Sequence, residues 1–581
     1  MKNLELAWIL EEIGDLLELQ GENPFKVRAY RRAARSVELL PEDIEAVWRR
    51  GELGKVEGIG KAIEGKIDEW LSTGTMAYYE ELRQQLPPGL RELTRVPGVG
   101  PKLARLLYRE LGIQNLDDLE QACRAQRLRR VKGLGARSEE NILRGIERLR
   151  RQMERVPLGV AMPVAQQLVR ALASLPGVKR VSIAGSLRRG RDTVGDIDIV
   201  ASSDEPQAVM ACFVALPGVE RVLAHGETKS SIVLKMGMQA DLRVVQDGQF
   251  AAALHHFTGS KEHNVALREL AQDHGLKISE YGIVRVDRGE GVPVSEEADI
   301  FAALGLPYIP PELREDGSEL TAARAGKLPE LVTLADIRGD LHVHSDWSDG
   351  LNTIEEIALA ARDRGYAYIA ITDHSPSLTV ARGLDAARIE AQLAEIERLN
   401  SRLEGIRILS GCEVDILKDG TLDLPDEVLS RLDVVVASVH RSMDMDADCM
   451  TERIVAAMRS PHVDIIGHPT GRLLGRREPY SLHMERIIEV AAETGTALEI
   501  NASPDRLDLK DVYARWARER GVMIVVNTDA HSTEGLDQMA YGVMVARRAW
   551  LAKADVLNCL PLPDMLARLK DGRREPGVGR S

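Results

Sequence analysis

Between residues 339 and 571, seven apolar, β-branched segments alternate with amphipathic stretches: GDLHVHS, YIAITDHS, IRILSGCEVDI, DVVVASVH, DIIGHP, ALEINAS and VMIVVNTDAH. Parallel strands need a helical crossover between them, so this alternation predicts a parallel sheet. Seven repeats predict a closed or nearly closed β/α barrel. Nine residues able to bind metals fall at the C-terminal ends of these segments: His342, His344, Asp349, His374, Glu413, His440, His468, Asp529 and His531. In a parallel barrel those ends converge on one mouth, where such barrels build their chemistry. His342 and His344 are two apart on one strand, which turns both imidazoles to the same face. A single histidine at a strand end is ordinarily structural, but nine converging groups are not expected by chance. Mixed nitrogen and oxygen ligands in that number can hold up to three divalent ions, with Zn2+, Mn2+ and Fe2+ all compatible. Ions in such a mouth bring the pKa of water near neutrality and so supply a nucleophile for phosphorus.

A different pattern fills residues 155 to 315, where helices alternate with the strands RVSIAGS, DIDIVASS, SSIVLKM and ADLRVVQ. Asp196 and Asp198 lie two apart on one strand, so their carboxylates face the same way. Asp241 on another strand completes a possible cluster of three, a donor set suited to Mg2+ or Mn2+ shared with a triphosphate. Upstream, Gly185-Ser186-Leu187-Arg188-Arg189-Gly190 is a small turn with two arginines able to hold phosphate oxygens. Taken alone, Asp-x-Asp on a strand edge is more often structural than catalytic.

Residues 1 to 150 read as short helices punctuated by three similar loops, with Gly58 and Gly60, Gly98 and Gly100, and Gly133 and Gly135. A G-x-G turn opening a helix presents unpaired N–H groups at the positive end of the helix dipole, which suits a DNA phosphate. A glycine C-cap between two helices looks the same, and three such loops flanked by Lys or Arg favour the DNA reading. The net charge of −14 is no obstacle, because Arg124, Arg127, Arg129, Arg130, Lys132, Arg137, Arg144, Arg148, Arg150, Arg151 and Arg155 concentrate positive charge locally. That run is equally compatible with a solvated helix face. Five scattered cysteines without paired spacing imply a reducing compartment. The N-terminus carries acids inside its apolar pattern, and no run is long and apolar enough for a bilayer, so a cytoplasmic chain with no membrane association is expected.

GSLRRG followed by GDID resembles the nucleotidyltransferases of DNA polymerase family X, and the likeness covers residues 1 to about 315. It implies that Asp196, Asp198 and Asp241 are the metal-binding aspartates and that Gly185, Ser186 and Arg189 serve the triphosphate. FTGSKEHNVALREL resembles the nucleotide-pocket helix, which gives Gly259, Asn264 and Arg268 nucleotide and template contacts, and KISEYGI matches the strand that follows. Two positions depart from the pattern: His256 replaces a tyrosine beside Phe257, and Gln239 replaces an arginine two residues before Asp241. NPFKVRAYRRAA and VEGIGKAIEGKIDEWLSTG resemble the family's small 5′-end-binding domain. That places Lys66 at its Schiff-base lysine, Lys26 and Tyr30 at supporting contacts, and Ala62 where the pocket has another lysine.

HVHSDWSD, TDH, Gly411-Cys412-Glu413 and NTDAH resemble the polymerase-and-histidinol-phosphatase (PHP) family. By that resemblance His342, His344, Glu413 and Asp529 hold one ion, and Glu413 bridges to a second with His440 and His468. Asp349, His374 and His531 hold a third. Arg441, Arg472 and Arg476 are candidate phosphate contacts.

The expected chain is therefore multidomain. A helical lyase-like 5′-end-binding domain with a helix-hairpin-helix spans 1–90, and a second helix-hairpin-helix domain spans 91–155. An α/β nucleotidyltransferase palm spans 156–245, a thumb 246–315, a linker 316–338, a distorted (β/α)7 PHP barrel 339–571 and a tail 572–581. The two resemblances together imply a DNA-repair polymerase that fills gapped or nicked DNA with dNTPs and has a 3′–5′ exonuclease in the barrel; a monomer is the default expectation. A 5′-deoxyribose-phosphate lyase of base excision repair is implied at Lys66. Two other readings stand beside it: a small-molecule phosphatase fused to the polymerase half, or a first half reduced to a DNA-binding scaffold.

Overall fold

The computed structural model describes residues 2–569 apart from 39–43, 57, 88, 95, 97, 132 and 154. Lys132, the 572–581 tail and the side chains of Arg148, Arg150 and Arg151 lie outside the described residues. The chain divides into two units, Met1–Glu154 with Thr379–Arg382, and Arg155–Leu378 with Gly383–Ser581.

The described elements of residues 2–153 are all helical. Helices Lys2–Gln20, Pro24–Glu38, Lys61–Thr73 and Ala77–Gln84 share an apolar cluster that includes Leu10, Ile13, Ala33, Ile67 and Trp70. Pro101–Leu111, Leu116–Arg124 and Ala136–Met153 share another, with Leu93, Ala104, Leu107, Leu119 and Ile146. In KLARLLYREL only one stripe is inside: Ala104 and Leu107, three apart, are fully buried. Proline at the first position starts that helix and Gly112, in the left-handed region, ends it.

The second unit begins with a five-stranded sheet. Its strands are β1 (Val178–Ile183), β2 (Asp196–Ser203), β3 (Val219–His225), β4 (Lys229–Leu234) and β5 (Gln239–Val245), in the order β1-β2-β5-β4-β3. β2 and β5 run parallel; the other pairs are antiparallel. A three-stranded antiparallel sheet follows, of β6 (Leu276–Ser279), β7 (Gly282–Arg285) and β8 (Gly291–Val292). With helices Lys261–Asp273 and Glu297–Ala302 it encloses Leu267, Ile278, Ile300 and Phe301. Leu320 and Leu331, from the segment expected to be a linker, and Trp550 complete that core, so the segment is packed structure.

The remaining strands are β9 (Gly339–Val343), β10 (Tyr368–Ile371), β11 (Arg407–Asp415), β12 (Val434–Ser438), β13 (Ile465–Ile466), β14 (Ala497–Asn501) and β15 (Ile524–Asn527). All pairs are parallel and neighbours follow chain order. Val343 bridges Ala530, and His344 N donates to Ala530 O at 2.9 Å, so the last strand returns to the first and the ring closes. β9, β10, β12, β14 and β15 are buried along their whole length, which is why they read as nearly unbroken apolar runs. Leu158, Ile197 and Leu242 of the five-stranded part lie in the same buried cluster as Ile371, Ile488 and Ala546 of the barrel. Among the described residues no helix is long and apolar enough to cross a membrane.

Gly542, in the helix Met539–Arg548, sets how closely that helix lies on the barrel. A Cβ there would come 2.5 Å from Val526 Cγ1 and 2.6 Å from Ala502 Cβ. Alanine improves helix propensity by about 1 kcal/mol, but overpacking a buried contact costs about 1–3 kcal/mol. Gly542→Ala is therefore expected to lower stability on balance, read as a reduced midpoint in chemical denaturation.

Candidate active sites

The register between β2 and β5 builds the first site. Asp198 pairs directly with Asp241, and Asp196 with Gln239, so three carboxylates converge where two parallel strands meet. Asp241 accepts from Lys229 Nζ at 2.7 Å and Gln239 Nε2 at 2.8 Å. Burial works against its ionisation, but these donors hold it below the ordinary carboxylate range. Burial, with Asp196 and Asp241 alongside, pushes Asp198 up to about 7. Burial and Asp241 also raise Asp196. Three carboxylates in such a place repel one another unless a cation lies among them, and an oxygen-only donor set fits a hard divalent ion.

Gly185 cannot be any other residue. Its φ is +63°, and a Cβ would come 2.1 Å from Asp198 Oδ2. The Gly185–Arg188 turn thus lies directly against the carboxylate cluster. Arg189 pairs with Glu315 at 3.2 Å and donates to Thr258 O, beside Gly259. Arg188, which the sequence grouped with Arg189 as a phosphate holder, is engaged elsewhere. It forms an ion pair with Glu297, which also takes buried Arg314 at 2.7 Å. It also donates to Thr258 Oγ1 at 2.7 Å, so it ties this turn to the helices Phe250–Thr258 and Glu297–Ala302.

Gly259 precedes Ser260, whose hydroxyl caps the Lys261–Asp273 helix by accepting from His263 N at 3.1 Å. Asn264 Nδ2 donates to His256 O at 2.8 Å, and Arg268 Nε to Asn264 O at 3.0 Å. A cleft of about 600 Å3 there is lined by His256, Arg268, Gln272, Lys277 and Glu280. Behind it runs a buried polar chain that the sequence did not reveal. His263 Nδ1 lies 2.6 Å from Glu319 Oε1, and His263 Nε2 lies 3.2 Å from His255 Nε2.

In the first unit, Lys26, Tyr30, Gly58, Gly60, Ala62, Lys66 and Tyr78 line a pocket of about 530 Å3. Lys66 Nζ donates to Ala62 O at 3.0 Å and sits 4.6 Å from the Tyr78 ring centre, and Tyr78 stacks on Tyr30. Tyr78 was missed because nothing in its surroundings marks it in sequence. The helices after the G-x-G loops begin at Gly60, Gly100 and Gly135. Gly60 and Gly100 have ordinary extended backbones, and a Cβ on any of the three would meet no protein atom within 4 Å. Neither internal packing nor, at Gly60 and Gly100, strain calls for glycine. The open surface there leaves room for close approach of another backbone. Gly58, Gly98 and Gly133 have φ of +83°, +86° and +93°, the left-handed region that favours glycine.

At the barrel mouth the structure brings all nine sequence-selected residues together. Glu413 sits at the centre. Its Oε1 is 3.0 Å from His468 Nε2 and 3.3 Å from His440 Nε2. Its Oε2 is 2.9 Å from His374 Nδ1, 3.4 Å from His342 Nε2 and 3.6 Å from His344 Nε2. Asp529 Oδ1 lies 3.1 Å from His344 Nε2 and 3.6 Å from His342 Nε2. Asp349 Oδ2 lies 3.4 Å from both His374 Nε2 and His531 Nε2. Three groups have ligand atoms close enough for one ion each: His344, Asp349, His374 and His531; His342, His344 and Asp529; His374, Glu413 and His440. His342 Nε2, both ring nitrogens of His344 and His374 Nδ1 are buried without a hydrogen-bond partner. Unsatisfied nitrogens that converge on carboxylate oxygens are what a set of divalent cations requires.

The electrostatics agree. Burial would raise Glu413, yet His440, His342 and His374 hold it well below the ordinary carboxylate range. Burial lowers His344, and His531 and His374 lower it further. His468 and Asp529 carry φ of +27° and +55°, and such backbone strain persists where surrounding contacts over-determine it.

Two carboxylates outside the nine aim these rings. Glu499 Oε1 is 2.8 Å from His342 Nδ1, and its Oε2 accepts from His468 N at 2.6 Å. Asp415 Oδ1 is 2.9 Å from His440 Nδ1. In each case Nε2 is left facing inward. Arg472 is not free for phosphate. It is nearly buried, pairs with Asp192 at 3.0 Å and donates to Arg506 O and Leu507 O. Arg441 donates to Ser377 O and Arg476 is 4.0 Å from Asp505. The arginine nearest the ligands is one the sequence did not single out, Arg506, 3.7 Å from Asp529 Oδ2.

Four family models match the chain: a helix-hairpin-helix domain at residues 1–76, a SAM-like helix-hairpin-helix tandem at 90–148, the DNA polymerase beta thumb at 253–315 and the PHP domain at 340–503. The DNA polymerase/3′-5′ exonuclease PolX of Bacillus subtilis (strain 168) is 42% identical over 572 residues, covering 98% of this chain and 100% of that protein. The chain belongs to the PolX family. Two further relatives match this chain in parts. A probable phosphatase of Thermoanaerobacter sp. (strain X514) is 33% identical over 38% of this chain and 89% of its own length. DNA polymerase lambda of Rattus norvegicus is 24% identical over 54% of this chain and 56% of its own length.

Glu499→Gln tests the aiming of His342. Divalent-ion affinity at the barrel is expected to fall about 10–100-fold, read by metal titration with circular dichroism unchanged. Unaltered affinity would mean that Glu499 does not orient the ring.

Proposed function

We propose that this chain is a template-directed DNA polymerase that fills short gaps, with a 3′–5′ exonuclease in its barrel acting on the same DNA ends. One observation carries the reading: a chain matched from end to end by a polymerase/exonuclease holds two separate clusters of ionisable side chains, each beside groups suited to phosphate. Divalent cations bind both. Mg2+ or Mn2+ is assigned to Asp196, Asp198 and Asp241. Up to three ions, Zn2+, Mn2+ or Fe2+, are assigned to the barrel, with His342, His344, Glu413 and Asp529 holding one. His440 and His468 share Glu413 for a second, and Asp349, His374 and His531 take a third. Such ions neutralise charge that develops on phosphoryl oxygens and acidify water.

The chain's own groups do the rest. Ser186 and Arg189 hold the triphosphate, with Gly185 letting the loop lie against Asp198. Asp241, kept ionised by Lys229 and Gln239, faces the primer 3′-hydroxyl and takes its proton. Gly259, Asn264 and Arg268 position base and sugar, with His256 at the sugar edge of the cleft. In the first unit the loops at Gly58, Gly60, Gly98, Gly100, Gly133 and Gly135 grip DNA phosphates. Lys26 and Tyr30 receive a 5′-phosphorylated end, and Lys66 attacks the sugar aldehyde as a lyase nucleophile. The chain works as a monomer on gapped or nicked DNA. The domain limits 1–90, 91–155, 156–245, 246–315 and 339–571 are retained as the working divisions.

A second reading has one specific support, the barrel's likeness to a probable phosphatase over 89% of that protein. It makes the barrel a small-molecule phosphatase.

A 5′-phosphorylated one-nucleotide gap with a labelled primer separates the readings. Extension with dNTPs and 3′-shortening without them are expected; phosphomonoester turnover without shortening would favour the second reading. Asp198→Ala should cut extension by about 1,000-fold or more and leave shortening intact, and His342→Ala or His440→Ala the reverse. Loss of both activities from one substitution in a folded chain would overturn the two-site model.

A further inference from the structure

The loop that carries Ser186 and Arg189 rests on the barrel, although the barrel belongs to the other activity. A Cβ at Gly190 would come 3.3 Å from Met544 Cβ and 3.7 Å from Arg548 Cδ, both on the barrel helix Met539–Arg548. Arg548 is nearly buried, its side chain 5% exposed. Its Nη1 donates to the carbonyl of Arg189 at 2.9 Å and to Glu315 Oε1 at 2.7 Å. Its other edge is fixed by Asp511 at 2.8 and 2.9 Å. Glu315 Oε1 also takes Arg189 Nε at 3.2 Å, and Glu315 Oε2 takes Arg191 at 3.3 Å. Three arginines thus compete for one carboxylate, and one of them is the arginine assigned to the triphosphate. Two residues further on, Asp192 is held by barrel Arg472 at 3.0 Å.

We infer that Arg548 is a positioning residue for nucleotidyl transfer, a barrel side chain that occupies Glu315 and anchors the Arg189 carbonyl so that the Arg189 guanidinium can turn to a nucleoside triphosphate. The inference rests on the reading of Arg189 given above. The charge balance explains the need for it. Arg189, Arg191 and Arg548 face Glu315 and Asp511, which leaves one positive charge over for phosphate. Without Arg548 the group is neutral, and Glu315 is left to Arg189 and Arg191 alone. With Arg548 sharing Glu315 Oε1, the Arg189 bond is the longer of the two at 3.2 Å; without Arg548 that charge-assisted hydrogen bond strengthens and costs more to break each time a triphosphate binds. The barrel therefore serves polymerisation through its outer face, far in function from the ligands at its mouth.

The test compares Arg548→Gln, Glu315→Gln, the double variant and Arg189→Gln in the full chain. Steady-state dNTP incorporation is measured, with 3′-shortening as the control for an intact barrel. Arg548→Gln is expected to raise the KM for dNTP about 10-fold with a smaller change in kcat. Adding Glu315→Gln should return KM to within about 2-fold of the parent, since no carboxylate is left to capture Arg189. Arg548→Lys, which keeps the charge, should retain most of the parent KM. An unchanged KM in Arg548→Gln, or a double variant worse than Arg548→Gln, overturns the inference, the latter by showing a merely structural contact. If Arg189→Gln itself leaves KM unchanged, the assignment of Arg189 to the triphosphate fails and the inference falls with it. If Arg189→Gln raises KM and Arg548→Gln does not, the inference alone fails.

Discussion

Two backbone hydrogen bonds, Asp529 N to His342 O at 3.0 Å and His344 N to Ala530 O at 2.9 Å, join the ends of a sheet more than 180 residues long in sequence. Everything at the barrel mouth depends on them. They set the first strand's histidines beside the last strand's aspartate, and Glu413 arrives from the third strand to face both groups. Burying so many ionisable groups is costly unless each finds an opposite charge. Here alternation of imidazole and carboxylate within one mouth meets that condition in part, and the unsatisfied nitrogens mark where cations complete it.

The five-stranded sheet solves a related problem with less material. Only three carboxylates converge, and the parallel pairing of β2 and β5 alone determines their spacing. Lys229 and Gln239 stabilise one of the three, while Asp198 is left next to a loop with no side chain at Gly185. The position where family X has an arginine is thus occupied by a neutral donor that still reaches Asp241.

How much was readable in advance follows from how local each role is. Asp196 and Asp198 were readable because a strand's alternation places them without knowledge of anything else, and the barrel residues because all but Asp349, in the turn after β9, lie at or near strand ends. Glu499 was not, since ALEINAS reads as a buried strand and its partner His342 lies 157 residues away. Arg188 and Arg472 were read as phosphate holders because an arginine in a loop looks free until its acid is known. Glu297 and Asp192 are 109 and 280 residues distant. The seven strands were all found, because both faces of each are covered and the apolar runs are unmistakable. The segment 316–338 looked like a connector because its apolar residues, Leu320 and Leu331, are sparse, and what they pack against comes from elsewhere in the chain.

The continuous apolar cluster that runs from Leu158 to Ala546 has an evolutionary consequence. Genes shed modules cleanly when a cut leaves two water-compatible surfaces. A cut anywhere between residues 316 and 338 would instead expose a broad oily face on both products. In this chain the polymerase half is thereby tied to the barrel as a scaffold, so loss of the barrel's chemistry would not by itself release that half from the barrel's fold.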